Sequence, residues 1–501
     1  MVPGLLALGS HSACVFGYQE RRLRASARPT TLLLADPVMH QLRCTGRFPF
    51  GDHSFSLETT LTRAAHSYVP EAIKAMGSWD SRSLLVLFVW ASLLLSLATG
   101  CGGGSNGFVP STQPSAVTPS ALPGTPTPPP PAPPPPPSPP PTPAPPTLGQ
   151  LSHVIVVVMQ NNSFDHLFGT YTAPAGNTVE GLNPSVIGYQ EIDQSGNTVT
   201  PYALGSTLPP NIPEGYGAYT AEWDNGKMDK FAYNDGDIAM GYYDNTTAGI
   251  STLWNYANQY SLADHYFQSS WGEAPTNQLY MVAADDNDRN YDVNPYYPPC
   301  HLVETDAIPY TFQNVADQLF AKQISWGMFQ EDWGNCASDQ PLHNAFQYFT
   351  STNTSPNIQD YANFSTKLQN GTLPAVSFVI PSASHDMHPG YKNPVSDGIN
   401  FLDELIKEVQ ASTIWPTAAI IITFDTGGGW YDHVPPPQID DQGLGFRVPT
   451  LVISPLAKQG YVSHKVMDHV SILKLIQWNW GLPSLNARND VSGDMLDMFK
   501  F

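Results

Sequence analysis

The residues best placed to do chemistry sit in Ala418 to Pro437, AAIIITFDTGGGWYDHVPPP, where Asp425 ends an apolar run and Asp432 and His433 follow three glycines. A carboxylate can hold a hard cation, glycines let backbone approach an anionic ligand, and an Asp-His pair can move a proton. That combination suits a metal ion and a phosphate. A tight turn with a capping Asp is the plainer reading, and the stretch alone leaves both open. Two other stretches are as polar: Gln160-Asn161-Asn162-Ser163-Phe164-Asp165, and Ser384-His385-Asp386-Met387-His388-Pro389. In the first, an Asn or Ser capping a helix opened by FDHLFG is the competing account.

Each cluster follows a run that reads as strand. Ala418 to Thr423 and His153 to Met159 lack the alternation of a half-exposed strand, as expected of strands buried on both faces, and Leu373 to Pro381 is strand-like. TLVISP at Thr450 to Pro455 adds another. Ile399 to Val409 sets Phe401, Leu402, Leu405, Ile406 and Val409 on one side of a helix, and a last helix is expected from about Val466 to Trp480. Strands alternating with helices predict a mainly parallel α/β sheet, and such sheets gather ligands at the carboxyl ends of their strands. The expectation is spatial: Asn161, His388 and Asp425 meet at one rim.

Not all of the 501 residues are globular in composition, because the 49 prolines concentrate in one tract. The net charge of -21 disfavours nucleic acid as a partner. Leu84 to Ala98 is apolar over roughly 15 residues, short for a membrane span but suited to a signal-peptide core. It leads to Leu97-Ala98-Thr99-Gly100-Cys101, similar to the lipobox of bacterial lipoproteins, with an uncleaved anchor as the alternative. Residues 76–101 are thus read as a lipoprotein signal peptide with Cys101 as the lipidation site. Residues 1–75 are read as an unstructured upstream extension, and residues 102–149 as a Pro-rich stalk able to reach roughly 100 Å in extended form. A proline-rich docking ligand is the other account of the stalk. Residues 150–501 form the globular domain. Cys300 and Cys336 either pair as a disulfide, for about 3 to 4 kcal/mol in an exported protein, or stand as two thiols.

The stretches QNNSFDHLFGTY, WDNGKMDKF, GEAPTNQLY, TFDTGGGWYDHVPPP and the block from Gly445 to Arg488 resemble, in order, the bacterial phosphoesterase family that includes phosphatidylcholine-type phospholipase C and a secreted acid phosphatase. The resemblance implies an alkaline-phosphatase-like three-layer α/β sandwich, an exported enzyme, and hydrolysis of phosphate esters by a metal-supported Ser or Thr nucleophile. It also implies a divalent metal ion, with Asn161 and Asp425 as ligands. The match is incomplete. Gln160 and Thr426 stand where the family carries acids, so they become neutral supplements to the metal site, and Ala274 stands where the family carries the nucleophile. Thr276 is the substitute candidate, ahead of Ser269 and Ser270, and a water molecule is another route.

His388 and His433 are the histidines expected to meet phosphate or the leaving group. His265 reads as packed or surface; Asp468 and His469 read as a solvated cap of the last helix, with Asp468 as its starting acid and His469 as a support to the site as the alternative. Lys227 either contacts an anionic substrate or pairs with Asp224 or Asp229. The Tyr and Trp residues between Tyr216 and Trp271 either line a headgroup pocket or form core. The sum is an extracytoplasmic, lipid-anchored hydrolase of phosphate esters or phospholipids. The alternatives are a surface binding protein that keeps the fold with attenuated chemistry, and a hydrolase of another oxyanion ester such as a sulfate.

Overall fold

The computed structural model describes residues 148–183, 186–286, 309–335 and 343–501, together with four strands in the first 61 residues. The signal-peptide core, Cys101, the stalk up to residue 147, and the pair Cys300 and Cys336 lie outside the described residues. Among the described residues no helix is long and apolar enough to cross a membrane. The chain divides into two units, residues 1–135 and 136–501. In the first, strands Leu5–Ala7, Ser12–Val15, His40–Arg47 and Ser54–Leu61 pair antiparallel in chain order. Residues 1–75, read above as unstructured, therefore include this sheet; Phe55, Leu57 and Leu61 alternate with polar residues, a period-two signal that reading passed over.

The second unit is built on an eight-stranded sheet. Its strands are β1 (His153–Met159), β2 (Ser261–Ala263), β3 (Trp326–Gln330), β4 (Ile358–Asp360), β5 (Val376–Ile380), β6 (Ala418–Phe424), β7 (Thr450–Ile453) and β8 (Tyr461–Ser463), in the order β4-β3-β5-β1-β6-β7-β2-β8. All neighbours are parallel except the two pairs made by β7. Every residue of β5 and β6 is buried, so helices must cover both faces, which makes three layers. The helices used below are α1 (Phe164–Phe168), α2 (Tyr216–Trp223), α3 (Ile250–Gln259), α4 (Ala274–Ala283), α5 (Val395–Gln410) and α6 (His469–Trp480). On α5 the residues Ile399, Leu402, Leu405, Ile406 and Val409 are the buried stripe. The mainly parallel α/β class is as expected; α5 starts earlier than its apolar pattern, and α6 starts at His469 because Asp468 caps it.

One register matters most for the site. β1 and β6 lie side by side from His153 opposite Ala418 to Met159 opposite Phe424, so Gln160-Asn161 and Asp425-Thr426 leave the sheet at the same level. β5 flanks β1 on its other edge, which delivers the segment through Asp386 and His388 to the same rim.

Candidate active site at the carboxyl edge of the sheet

Asn161 is the hub. Its backbone is left-handed, with φ 54°, which aims its N–H at Asp425 Oδ1, 3.3 Å away. Its side-chain amide donates to His388 Nε2 at 2.9 Å and to Glu214 Oε2 at 2.9 Å, while its Oδ1 accepts from the Thr426 hydroxyl at 2.9 Å. Asp425 takes a second backbone hydrogen bond from Thr426 N at 2.8 Å, and Gln278 Nε2 reaches its Oδ2 at 3.2 Å. The structure therefore brings Asn161, His388, Asp425 and Thr426 together. Gln160 is fully buried beside them, and neither atom of its amide has a partner; Gln278 Oε1 and Asp386 Oδ2 are likewise buried without one. Unpaired buried dipoles around an acid are the donor set a hard cation would satisfy.

Sequence reasoning missed Glu214. It lies on a loop, IPEGY, with no strand before it and no family block around it, so only the fold reveals its place. The glycines after β6 explain how it arrives. A Cβ on Gly428 would stand 2.5 Å from Asn161 O, and one on Gly429 would stand 2.6 Å from Pro213 O. Both have positive φ, 62° and 73°, open to glycine at little cost. The turn thus presses on Asn161 from one side and on the Glu214 loop from the other. Burial raises the Glu214 carboxyl to about 8, with the nearby Asp425 charge adding to it. Asp425 is raised to about 7, chiefly by burial, and Asp386 to about 7 for the same reason. Two acids, with a third close by, repel one another here, and among the described residues no Lys or Arg is hydrogen-bonded to them.

His388 is held as a neutral ring. Its Nδ1 donates to the carbonyl of Pro389 at 2.6 Å, so Nε2 is the acceptor that meets Asn161. Burial lowers its pKa below the ordinary imidazole value, and Tyr391 stacks on it at 4.2 Å. It is half-buried, whereas Asn161 and Asp425 are sealed.

Thr276 sits two residues before Gln278 on α4. Gln278, which touches Asp425, shares a face of α4 with Ala274, one turn earlier; Thr276 lies about 200° around the helix from Gln278. The helix thus offers the acid a methyl group and an amide. Ser269 is also elsewhere, its hydroxyl on Asp468 at 3.0 Å, and the Ser270 hydroxyl accepts from Gly272 N at 3.2 Å.

His433 belongs to a second cluster. Its N–H at Nδ1 donates to Asp165 Oδ2 at 2.6 Å, and it hydrogen-bonds none of Asn161, His388 and Asp425. Asp165, Asp432 and His433 bring three ligand atoms within 4.8 Å of one another, a group that could hold a metal ion. Arg447, wholly buried, already spans it, with Nε 2.7 Å from Asp432 and Nη2 3.1 Å from Asp165. Burial pushes Asp165 up, but His433 and Arg447 outweigh it and hold the carboxyl below its usual range. Burial pushes His433 down, and Asp165 more than restores it, so the imidazole stays charged to higher pH than usual.

Other expectations resolve locally. Ser163 caps α1, accepting from His166 N at 3.2 Å. Lys227 pairs with Asp224 at 2.6 Å, and His265 pairs with Glu180. His469, fully buried, meets the Phe424 carbonyl at 2.9 Å. Tyr219, Phe231 and Trp271 pack with Trp430, Tyr431 and Phe446 as a satellite core instead of lining a pocket.

Residues 151–483 match the model of the phosphoesterase family. Over 406 residues the chain is 25% identical to the non-hemolytic phospholipase C of Pseudomonas aeruginosa, a match covering 71% of this chain and 58% of that protein. Over 423 residues it is 28% identical to phospholipase C B of Mycobacterium tuberculosis, covering 71% and 78%. A protein in the alkaline phosphatase superfamily from Vibrio parahaemolyticus aligns over 70% of each chain at 10% identity, with a TM-score of 0.36. The chain thus spans little more than half the length of the first of these relatives.

Proposed function

The chain belongs to the phosphoesterase family, and from that premise we propose that it is a phosphoric ester hydrolase whose substrate is a phosphate ester or phospholipid bound over Asn161 and Asp425. The observation that carries this reading is the Asn161 hub, which ties Asp425, Glu214, His388 and Thr426 into one unit at the rim. Asp425, Glu214 and the oxygens of Asn161, Gln160 and Thr426 would hold a divalent cation, which when bound would polarise the phosphoryl oxygens. Asp425 and Glu214 fix the charge of the site. Asn161 orients both, and the half-buried His388 faces the approach of a ligand. Protonated, His388 can give a proton to the departing oxygen; because its pKa is lowered, that form grows as pH falls, so hydrolysis is expected to favour the acid side.

Water is the nucleophile in this reading, since Ala274 occupies the face of α4 that Gln278 shares and Thr276 points away. Ala274 also favours a second reading, a binding protein that keeps the fold. The leader ending at Cys101 and the Pro-rich stalk support display outside the cytoplasm on a lipid anchor.

The test is an assay of the full chain on a chromogenic phosphomonoester, a phosphodiester and phosphatidylcholine, with and without divalent metals. We expect turnover that Asp425→Asn lowers at least about 100-fold and that Thr276→Ala leaves within about threefold. No turnover of any substrate, with Asp425→Asn folded and indistinguishable from wild type, would give the binding-protein reading the field.

A further inference from the structure

A groove that shares no lining residue with the rim is formed by α3, the chain after α1 and the turn that follows the strand Gly241–Tyr242. Its volume is about 450 Å³, within the range of small-molecule sites. α3 buries Ile250, Leu253, Tyr256 and Ala257. The groove takes Ser251, Trp254, Asn255 and Asn258, spaced i, i+3, i+4 and i+7, so one face of the helix presents a hydroxyl, an indole and two amides. The indole is pinned, its Nε1 donating to the Leu167 carbonyl at 2.9 Å, so its ring and not its N–H is left for a ligand. Tyr171 meets it with ring centroids 5.8 Å apart and planes at 59°, an aromatic corner, and the Tyr171 hydroxyl donates to Asn258 Oδ1 at 2.9 Å. That bond leaves the Asn258 amide nitrogen as a donor. From the other wall, Asp244 spends Oδ1 on Thr246 N at 2.8 Å, and Thr170 keeps a buried hydroxyl with no partner among the described residues.

The lining selects by what it lacks. Among the described residues it holds no Lys, Arg or His, so a phosphate or sulfate finds no counter-charge; one carboxylate is too few for a metal cage; and no Leu, Ile, Val or Met offers a wall to an acyl chain. What it does hold is aromatic surface ringed by neutral groups that both donate and accept. We propose that this groove binds a neutral pyranose glycan, with the C–H face of one sugar ring on Trp254 and its hydroxyls on Asn255, Asn258 and Asp244. A sugar ring is the ligand that is apolar on one face and a donor-acceptor around its edge, and the groove repeats that division. The site would hold the protein at a glycan-bearing surface. It does not rest on the reading of Asp425.

The experiment is calorimetric titration of the full chain with maltose, cellobiose and N,N′-diacetylchitobiose, which separate α-glucan, β-glucan and chitin-like sources of the same ring chemistry. At least one should bind at a single site with Kd on the order of 1 mM. A sulfated heparin-type disaccharide should bind at least about tenfold more weakly, because Asp244 and the chain's net charge of -21 oppose it. Trp254→Ala should abolish binding by removing the platform. Asn255→Ala, at an exposed position of α3 where alanine suits a helix, keeps the fold and should weaken binding about fivefold. No binding of any of the three sugars at about 50 times that Kd overturns the proposal. So does binding that Asn255→Ala leaves unchanged, or a preference for the sulfated sugar. Activity is not the readout, so failure here leaves the hydrolase reading standing.

Discussion

The rim around Asp425 and the cluster around Arg447 grow from the same two strand ends, yet their charges are arranged in opposite ways. Asp165 and Asp432 share the Arg447 guanidinium, Asp165 also takes the His433 imidazole, and each of these partners is held at hydrogen-bonding distance. Asp425 takes the backbone N–H of Asn161 and Glu214 its side-chain amide, which orient the two acids without neutralising them. A buried acid pair with its counter-ion built in has no need of a ligand, whereas one without it is stabilised by whatever positive charge arrives. On the reading proposed above, the first would hold α1 and the YDHVPPP turn in place and the second would bind.

The largest effect should come from removing the internal counter-charge. Arg447→Met leaves two sealed carboxylates beside one imidazole, and urea unfolding should show a loss of about 3–5 kcal/mol. A loss below about 1 kcal/mol would erase the distinction between the two regions.

Next is the pH dependence of stability in chelator. Asp425 and Asp386, near 7, and Glu214, near 8, lie above their ordinary values of 3.8 and 4.5, so between about pH 4 and 8 the folded chain holds more protons than the unfolded one. Their contribution therefore makes Tm fall as pH rises through that window, and Asp425→Asn should flatten the slope. A saturating divalent cation should flatten it too. Asp165 acts oppositely, its support being lost as pH falls below the ordinary aspartate range, whereas the raised His433, like the rim acids, loses its support as pH rises past its value.

The smallest effect sharpens the comparison most. Glu214→Gln keeps the Asn161 contact but halves the charge, and divalent-cation affinity measured by calorimetry should drop about tenfold, near the lower end expected for groups supporting a metal site. Unchanged affinity would leave Asp425 as the sole charged ligand.

What could be read in advance followed from burial. HVIVVVM and AAIIITF are apolar throughout because both faces of β1 and β6 are covered, so their ends, and with them Asn161 and Asp425, were legible. WGMFQ and SLA, which form β3 and β2, are too short and mixed to announce strands. Glu214 was invisible because a loop residue 53 positions from Asn161 reaches the site only through tertiary packing. Thr276 came from a motif written as letters, and the helical turn that motif ignores sets it about 200° around α4 from Gln278, the residue that meets Asp425. His433, adjacent in sequence to the glycine turn, is paired with Asp165 once that turn reverses the chain, a partner its spacing alone did not disclose.

The spacing between Asp425 and Glu214 is gauged by bare main chain at Gly428 and Gly429, not by any interlocking side chain. A single methyl at either position would act as a wedge, prising the two acids apart while leaving each one intact. Alanine at either position should therefore disturb the rim without altering any of its charged or polar groups.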